Sequence, residues 1–153
     1  MDINRYMVKA KTLRTREWVT GYYCKIAETT HCTISDYSPV PVHHYILHET
    51  MTDWELPNKM IKYEIDPDTI CQYVGFEDKN KEMIWENDII HCTTIDCEEY
   101  AWQIVWDKEE LGFKATNGKE NYGTEFEYLP CLEDIKIVGN IFDNPELLRG
   151  RIA

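Results

Sequence analysis

The segment YVGFEDKNKEMIWENDII, Tyr73 to Ile90, decides the fold. It begins on an apolar edge, passes through seven charged residues and ends in a second apolar run. Gly75 to Lys81 is turn material, in which Asp78 and Asn80 can bond the local backbone. Met83, Ile84 and Trp85 are apolar, and Glu86-Asn87-Asp88 is a tight turn into DIIHCTTI (88–95). Asn is, after Gly, the residue that best tolerates the left-handed backbone region. A sharp turn into a strand needs such a residue, so the polar density here is read as shape and not as catalysis.

Working outward, the chain reads mostly as strands. YMVKAK (6–11) and EWVTGYYCKI (17–26) suit a β-hairpin, with Gly21 marking a bulge or a close backbone approach. The segment 27–42 is polar and then carries Pro39 and Pro41, which favours an extended loop. HHYILHE (43–49), MIKYEI (60–65) and ICQYVG (70–75) are strand-like, and 50–59 is a polar loop carrying Trp54. DPDT (66–69) is a turn in which Pro67 presets φ. In EYAWQIVWD (99–107), Tyr100, Trp102, Ile104 and Trp106 share one face. FKAT (113–116) can pair back, Asn117-Gly118 signals a turn, and EFEYL (125–129) and DIKIVGNIF (134–142) complete the strands. Asn144-Pro145-Glu146 has the form of a helix start, a cap followed by Pro and an acid. Short strands joined by tight turns predict a small closed or nearly closed barrel in the second part.

A chain of 153 residues buries roughly 70% of its unfolded surface, enough for a core without disulfides. The first residues have no signal-peptide character and no run approaches a membrane span, which sets the expectation of a cytoplasmic protein with free thiols. The net charge of −12 is uneven. Residues 1–64 hold eight Lys/Arg against eight Asp/Glu, and residues 65–153 hold eight against twenty. Such a surface repels phosphates, so direct nucleic-acid binding is disfavoured. It also raises the alternative of an acidic surface that imitates nucleic acid.

QYVGFEDKNKEMIWENDII (72–90) resembles the repeated core of the YopX family, proteins encoded by phages and prophages of mostly Gram-positive bacteria. Members typically show a QYTGL-D-NG-I-EGD-V pattern there. YAWQIVWDKEELGF (100–113) is similar to the family's V-x-W-D strand and following Gly-Phe. IKIVGNIFDNPELL (135–148) resembles its closing motif, and VKAKTLRTREWVTGYY (8–23) its opening. Lys81 and Asn87 stand where members usually carry glycine. Asn87 is an easy exchange, whereas Lys81 costs about 1 kcal/mol if it must hold φ > 0, so the first turn is expected to differ locally. The resemblance implies an SH3-like β-barrel over 70–143, with a β-rich part (1–69) packed on it and a short helix or tail at 144–153. It implies no activity, no cofactor and no catalytic residue.

The remaining constellations are weak. His43, His44 and His48, with His31 and Cys32, match no structural zinc spacing. His91 and Cys92 are adjacent on a strand, so their side chains face opposite sides and cannot pair directly. Neither Glu98/Glu99 nor Glu109/Glu110 reads as a general acid–base pair, because acidic pairs in turns are usually solvated. The expectation is a non-enzymatic interaction protein, binding a host or phage protein or a second copy of itself. The candidate contact residues are Trp18, Trp54, Glu98, Glu99, Glu109 and Glu110. A metal-dependent enzyme on the histidines is the less favoured third reading.

Overall fold

The computed structural model describes residues 3–30, 39–93, 99–117 and 126–148. The chain is mostly β, with its strands in antiparallel sheets. It divides into two compact units, Met1–Cys71 and Gln72–Ala153.

In the first unit, β1 (Val8–Lys11), β2 (Trp18–Ala27), β3 (Val42–Thr50) and β4 (Lys59–Glu64) pair in sequence order as an antiparallel meander. The β1–β2 hairpin follows the sequence expectation, and Arg16 turns the chain at φ 60°. An isolated bridge joins Thr12 to Ile65, so the end of β4 returns to the end of β1. Leu13 N–H donates to Glu64 O (3.0 Å) and Asp66 N–H to Lys11 O (2.9 Å) around it. Asp66 caps the 3₁₀ turn Pro67–Thr69 by accepting from Asp68 N–H, as DPDT predicts. Ala10, Ile46 and Ile65 form the buried cluster, with Val8, Val19 and Ile70 packed on it. Gly21 is a close approach: a Cβ there would lie 2.1 Å from Leu47 O.

The second unit opens with the segment first read. β5 (Cys71–Glu77) and β6 (Met83–Trp85) form a hairpin, and β7 (Asp88–Thr93) follows one tight turn later. Asp78, Asn87 and Asp88 of this segment have internal work. Asp78 is 3% exposed and its carboxylate accepts from the N–H groups of Asn80 (2.7 Å), Glu82 (3.0 Å) and Ile137 (3.2 Å). Burial alone would raise its pKa, but those donors outweigh burial and hold it below the usual carboxylate value. Buried Asp88 accepts from Trp85 N–H at 2.8 Å. Asn87 stands at φ 66°, donates its N–H to Ile104 O and accepts from Ile141 N–H and Gln103 Nε2. Lys81 also stands at φ 66°, so this lysine takes the left-handed conformation itself.

β8 (Glu99–Asp107), β9 (Gly112–Thr116), β10 (Glu127–Tyr128) and β11 (Glu133–Asn140) complete a five-stranded sheet in the order β10-β9-β8-β7-β11. Among the described residues this sheet is not closed into the expected SH3-like barrel. The sheet ends in two separate edges, β10 and β11, and is not closed. Closure would require those edges to pair, and β10 is only two residues long. Trp102 and Ile104 are fully buried beside Ile84, Ile90, Leu129 and Ile135. Burying each large side chain contributes about 1.5–3 kcal/mol. Trp106 lies at the strand's end, beyond the core: it is 45% exposed and stands edge-on to Phe113, with centroids 5.0 Å apart.

The closing motif is a packed turn. Asn140 Oδ1 accepts from the N–H groups of Phe142 and Asp143, both at 3.0 Å. A Cβ on Gly139 would come within 2.6 Å of Asn144 Oδ1, so this contact excludes larger residues. The expected helix start at Asn144 is a single 3₁₀ turn, Pro145–Leu148.

Candidate functional site

The two most exposed large apolar residues of the first unit, Trp54 and Met51, lie in the loop between β3 and β4. Trp54 is 91% exposed, Met51 83% and Leu56 57%, and Met60, also exposed, is the second residue of β4. The loop is pinned rather than slack. Leu56 N–H donates to Asp53 O (3.1 Å), Thr52 Oγ1 to Pro57 O (2.9 Å) and Asn58 Nδ2 to Glu49 Oε1 (2.7 Å). Glu55 takes φ 65°, which turns the chain right after the tryptophan. Trp54 is therefore held outward by the backbone beneath it. Exposed apolar clusters of this kind mark contact surfaces more often than isolated exposed residues do.

Trp18 has a different setting. It is half-buried at the start of β2, with Lys9 Nζ 5.1 Å and Lys11 Nζ 5.3 Å from its ring centroid. Cations over an indole face are electrostatically favoured.

Of the candidate acids, Glu98 lies outside the described residues and Glu99 is placed only as the first backbone position of β8. Glu109 is exposed on the β8–β9 turn, and its N–H donates to Asp107 Oδ1 at 2.8 Å. Glu110 is tied inward: it accepts from Lys114 Nζ (3.0 Å) and from Tyr128 OH (2.8 Å). Lys114 is the feature that sequence reasoning missed. A lysine on a short strand reads as solvent-facing, yet its side chain is 2% exposed. Its Nζ donates to Asp107 Oδ2 at 2.6 Å and lies 3.5 Å from the Phe126 ring centroid. The Lys114 ammonium, joined by the N–H groups of Glu109 and Glu110, depresses the Asp107 pKa to about 2. The Tyr128 hydroxyl and then Lys114 hold Glu110 low as well. The arrangement is a charge network in which Asp107 and Glu110 are held low and Lys114 is held high.

The histidines are each engaged separately. His43 lies between two carboxylates, Nδ1 2.5 Å from Glu64 Oε1 and Nε2 2.8 Å from Glu28 Oε1, and those bonds raise its pKa. His44 Nδ1 meets Tyr23 OH at 2.6 Å, and His48 Nδ1 donates to Thr20 O at 2.7 Å. No group of three or more potential metal ligands converges among the described residues, and His31 and Cys32 lie outside them. Cys92 is in the core, where burial and then Glu127 push its thiol up to about 12, far from a thiolate nucleophile. Cys24, Cys71 and Cys131 are likewise free thiols, and Cys131 is exposed.

Comparison with known families adds one decisive finding: the family model described as YopX protein matches residues 9–149. The chain belongs to the YopX family. The match spans both units, so the opening hairpin, the Asp78 turn and the Gly139–Asn144 contact are all features of this YopX-family chain's matched region. A comparison with curated proteins finds no match. Among the described residues, no helix is long and apolar enough to cross a membrane.

Proposed function

We propose that this YopX-family chain is a non-enzymatic protein-interaction module that docks a host or phage protein through the β3–β4 loop. The observation that carries the reading is Trp54, 91% exposed on a loop fixed by its own hydrogen bonds and flanked by Met51 and Leu56. Tryptophan is enriched at the energetic centres of interfaces, and a preordered loop loses little conformational freedom on docking. The setting proposed from family membership is the host cytoplasm during phage or prophage expression.

The acidic alternative, imitation of nucleic acid, draws on the charge excess of residues 65–153. Part of that charge is spent internally. Asp78 and Asp88 are buried in turns, Asp66 pairs with Arg16, and Asp107 and Glu110 enclose Lys114. This places mimicry second.

The test is affinity capture from host lysate, nuclease-treated, with the wild-type chain and with Trp54→Ala run in parallel. A protein retained by the wild type and lost with Trp54→Ala supports loop docking. Equal capture by both refutes it. Capture of a DNA-processing enzyme that is insensitive to Trp54→Ala but broken by high salt moves the weight to mimicry.

A further inference from the structure

A second surface of the first unit is independent of the Trp54 loop. The Thr12–Ile65 bridge draws the tip of the β1–β2 hairpin against the end of β4, and an open concavity of ≈ 760 Å³ lies beside that tip. This is within the roughly 300–1,000 Å³ range of small-molecule sites.

The wall chemistry is specific. Trp18 and Tyr63 supply aromatic surface. His48 is fixed in orientation, since its Nδ1–H is committed to Thr20 O and it packs T-shaped with Tyr63, ring centroids 6.2 Å apart. Arg14 and Lys62 line the concavity, the Lys62 ammonium resting 4.4 Å from the Tyr45 ring centroid, and Lys9 and Lys11 add two more cations over the Trp18 ring. Of the two carboxylates in the lining, Glu64 already bonds His43, whereas Glu17 is exposed. Among the described residues, the side chains of Arg14 and Glu17 have no hydrogen-bond or ion-pair partner. These cations belong to residues 1–64, where eight Lys/Arg balance eight Asp/Glu, and not to the acidic second part of the chain.

We propose that this concavity is a binding site for a small anion carrying a flat ring and a diol, of the nucleoside monophosphate class. Trp18 provides the stacking face, a role aromatic side chains fill for any base. Arg14 and Lys62 take the phosphate through charge-assisted hydrogen bonds. Glu17 accepts from the ribose hydroxyls, the same chemistry by which acidic residues hold ribose in dinucleotide sites. The three demands distinguish this ligand from a bare anion, which needs no ring, and from a nucleoside, which needs no cation.

The experiment is a set of calorimetric titrations of the full chain with AMP, adenosine and inorganic phosphate as separate probes. It is accompanied by ¹H–¹⁵N spectra that follow the tryptophan indole N–H signals, assigned with Trp18→Phe. AMP is expected to bind more tightly than either adenosine or phosphate and to shift the Trp18 signal. Arg14→Ala with Lys62→Ala is expected to weaken AMP by about tenfold or more, the scale of losing hydrogen bonds to a charged group. Both positions are exposed, so the double variant keeps the fold. Absence of AMP binding at millimolar concentration overturns the proposal. So does binding that leaves the Trp18 indole unshifted, or phosphate binding as tight as AMP. The wild-type spectra decide the matter even if a variant misfolds.

Discussion

Lys81 and Asn87 share one backbone conformation, φ 66°, with opposite chemical suitability. Asn reaches the left-handed region at little cost, whereas a lysine there is strained by about 1 kcal/mol or more. Lys81→Gly is therefore expected to stabilise the chain by about 1 kcal/mol, read as a higher urea midpoint at unchanged slope. An unchanged midpoint would mean that the lysine's strain is relieved elsewhere. Asp78 is the counterpart. Its carboxylate serves three backbone N–H groups, one of them on β11, far away in sequence. Asp78→Ala strands buried donors and is expected to cost about 2–3 kcal/mol by the same denaturation measurement. Because the folded pKa of Asp78 is depressed, its contribution is present above the ordinary value of 3.8 and is lost as pH falls through the lower folded value. Asp78→Asn removes that acid dependence, which a set of urea midpoints across pH 2 to 5 would register. The aspartate was legible in the sequence as a turn former. Its reach to Ile137 was not, since local spacing carries no information about a strand 59 residues away.

At the scale of elements, the first unit has a pH-sensitive strap. His43 on β3 joins Glu64 on β4 to Glu28 just beyond β2. The bonds to Glu64 and then Glu28 raise the His43 pKa. A raised folded pKa means that the stabilisation is complete below the ordinary value of 6.5 and fades as pH rises through the folded value. The expected outcome is a first unit that loses stability on going from pH 6 to alkaline pH, with His43→Gln flattening the dependence. An NMR titration giving His43 a pKa at or below 6.5 would contradict it. The elements differ in how far the sequence revealed them. β8 was readable end to end, because nine residues of alternation leave little choice of face, and Trp102 and Ile104 bury as expected. Trp106 was not, because alternation assigns a side of the strand but not where the core stops. Closure was not legible for a related reason: tight turns determine which neighbours pair, whereas closure depends on edges remote in sequence. For the candidate site, Trp54 stood out as an apolar residue in a polar loop. Lys114 was hidden, since the acids and rings that let it bury are gathered only by the fold.

For the whole molecule the dominant quantity is the net charge of −12. Charge of one sign destabilises a compact chain by self-repulsion, and salt screens exposed charges over a Debye length of about 10 Å at 0.1 M. The internal attractions are less exposed to screening: Lys114 is 2% exposed between Asp107 and Glu110. Repulsion among exposed carboxylates should therefore weaken with salt faster than these pairs do. The melting temperature is expected to rise as sodium chloride is raised from low millimolar to physiological strength. Chloride is the appropriate anion, because sulfate strengthens apolar burial on its own account. The charge origin can be separated from any general salt effect with Glu109→Lys, an exposed position whose side chain takes part in none of the networks described. That change removes two units of negative charge, so it should raise the melting temperature at low salt and shrink the increment that salt produces. A melting temperature that falls with added chloride would show that attractive pairs, and not the acidic excess, govern the electrostatics of this YopX-family chain. The weight would then return to the Lys114 network as the main charge contribution to stability.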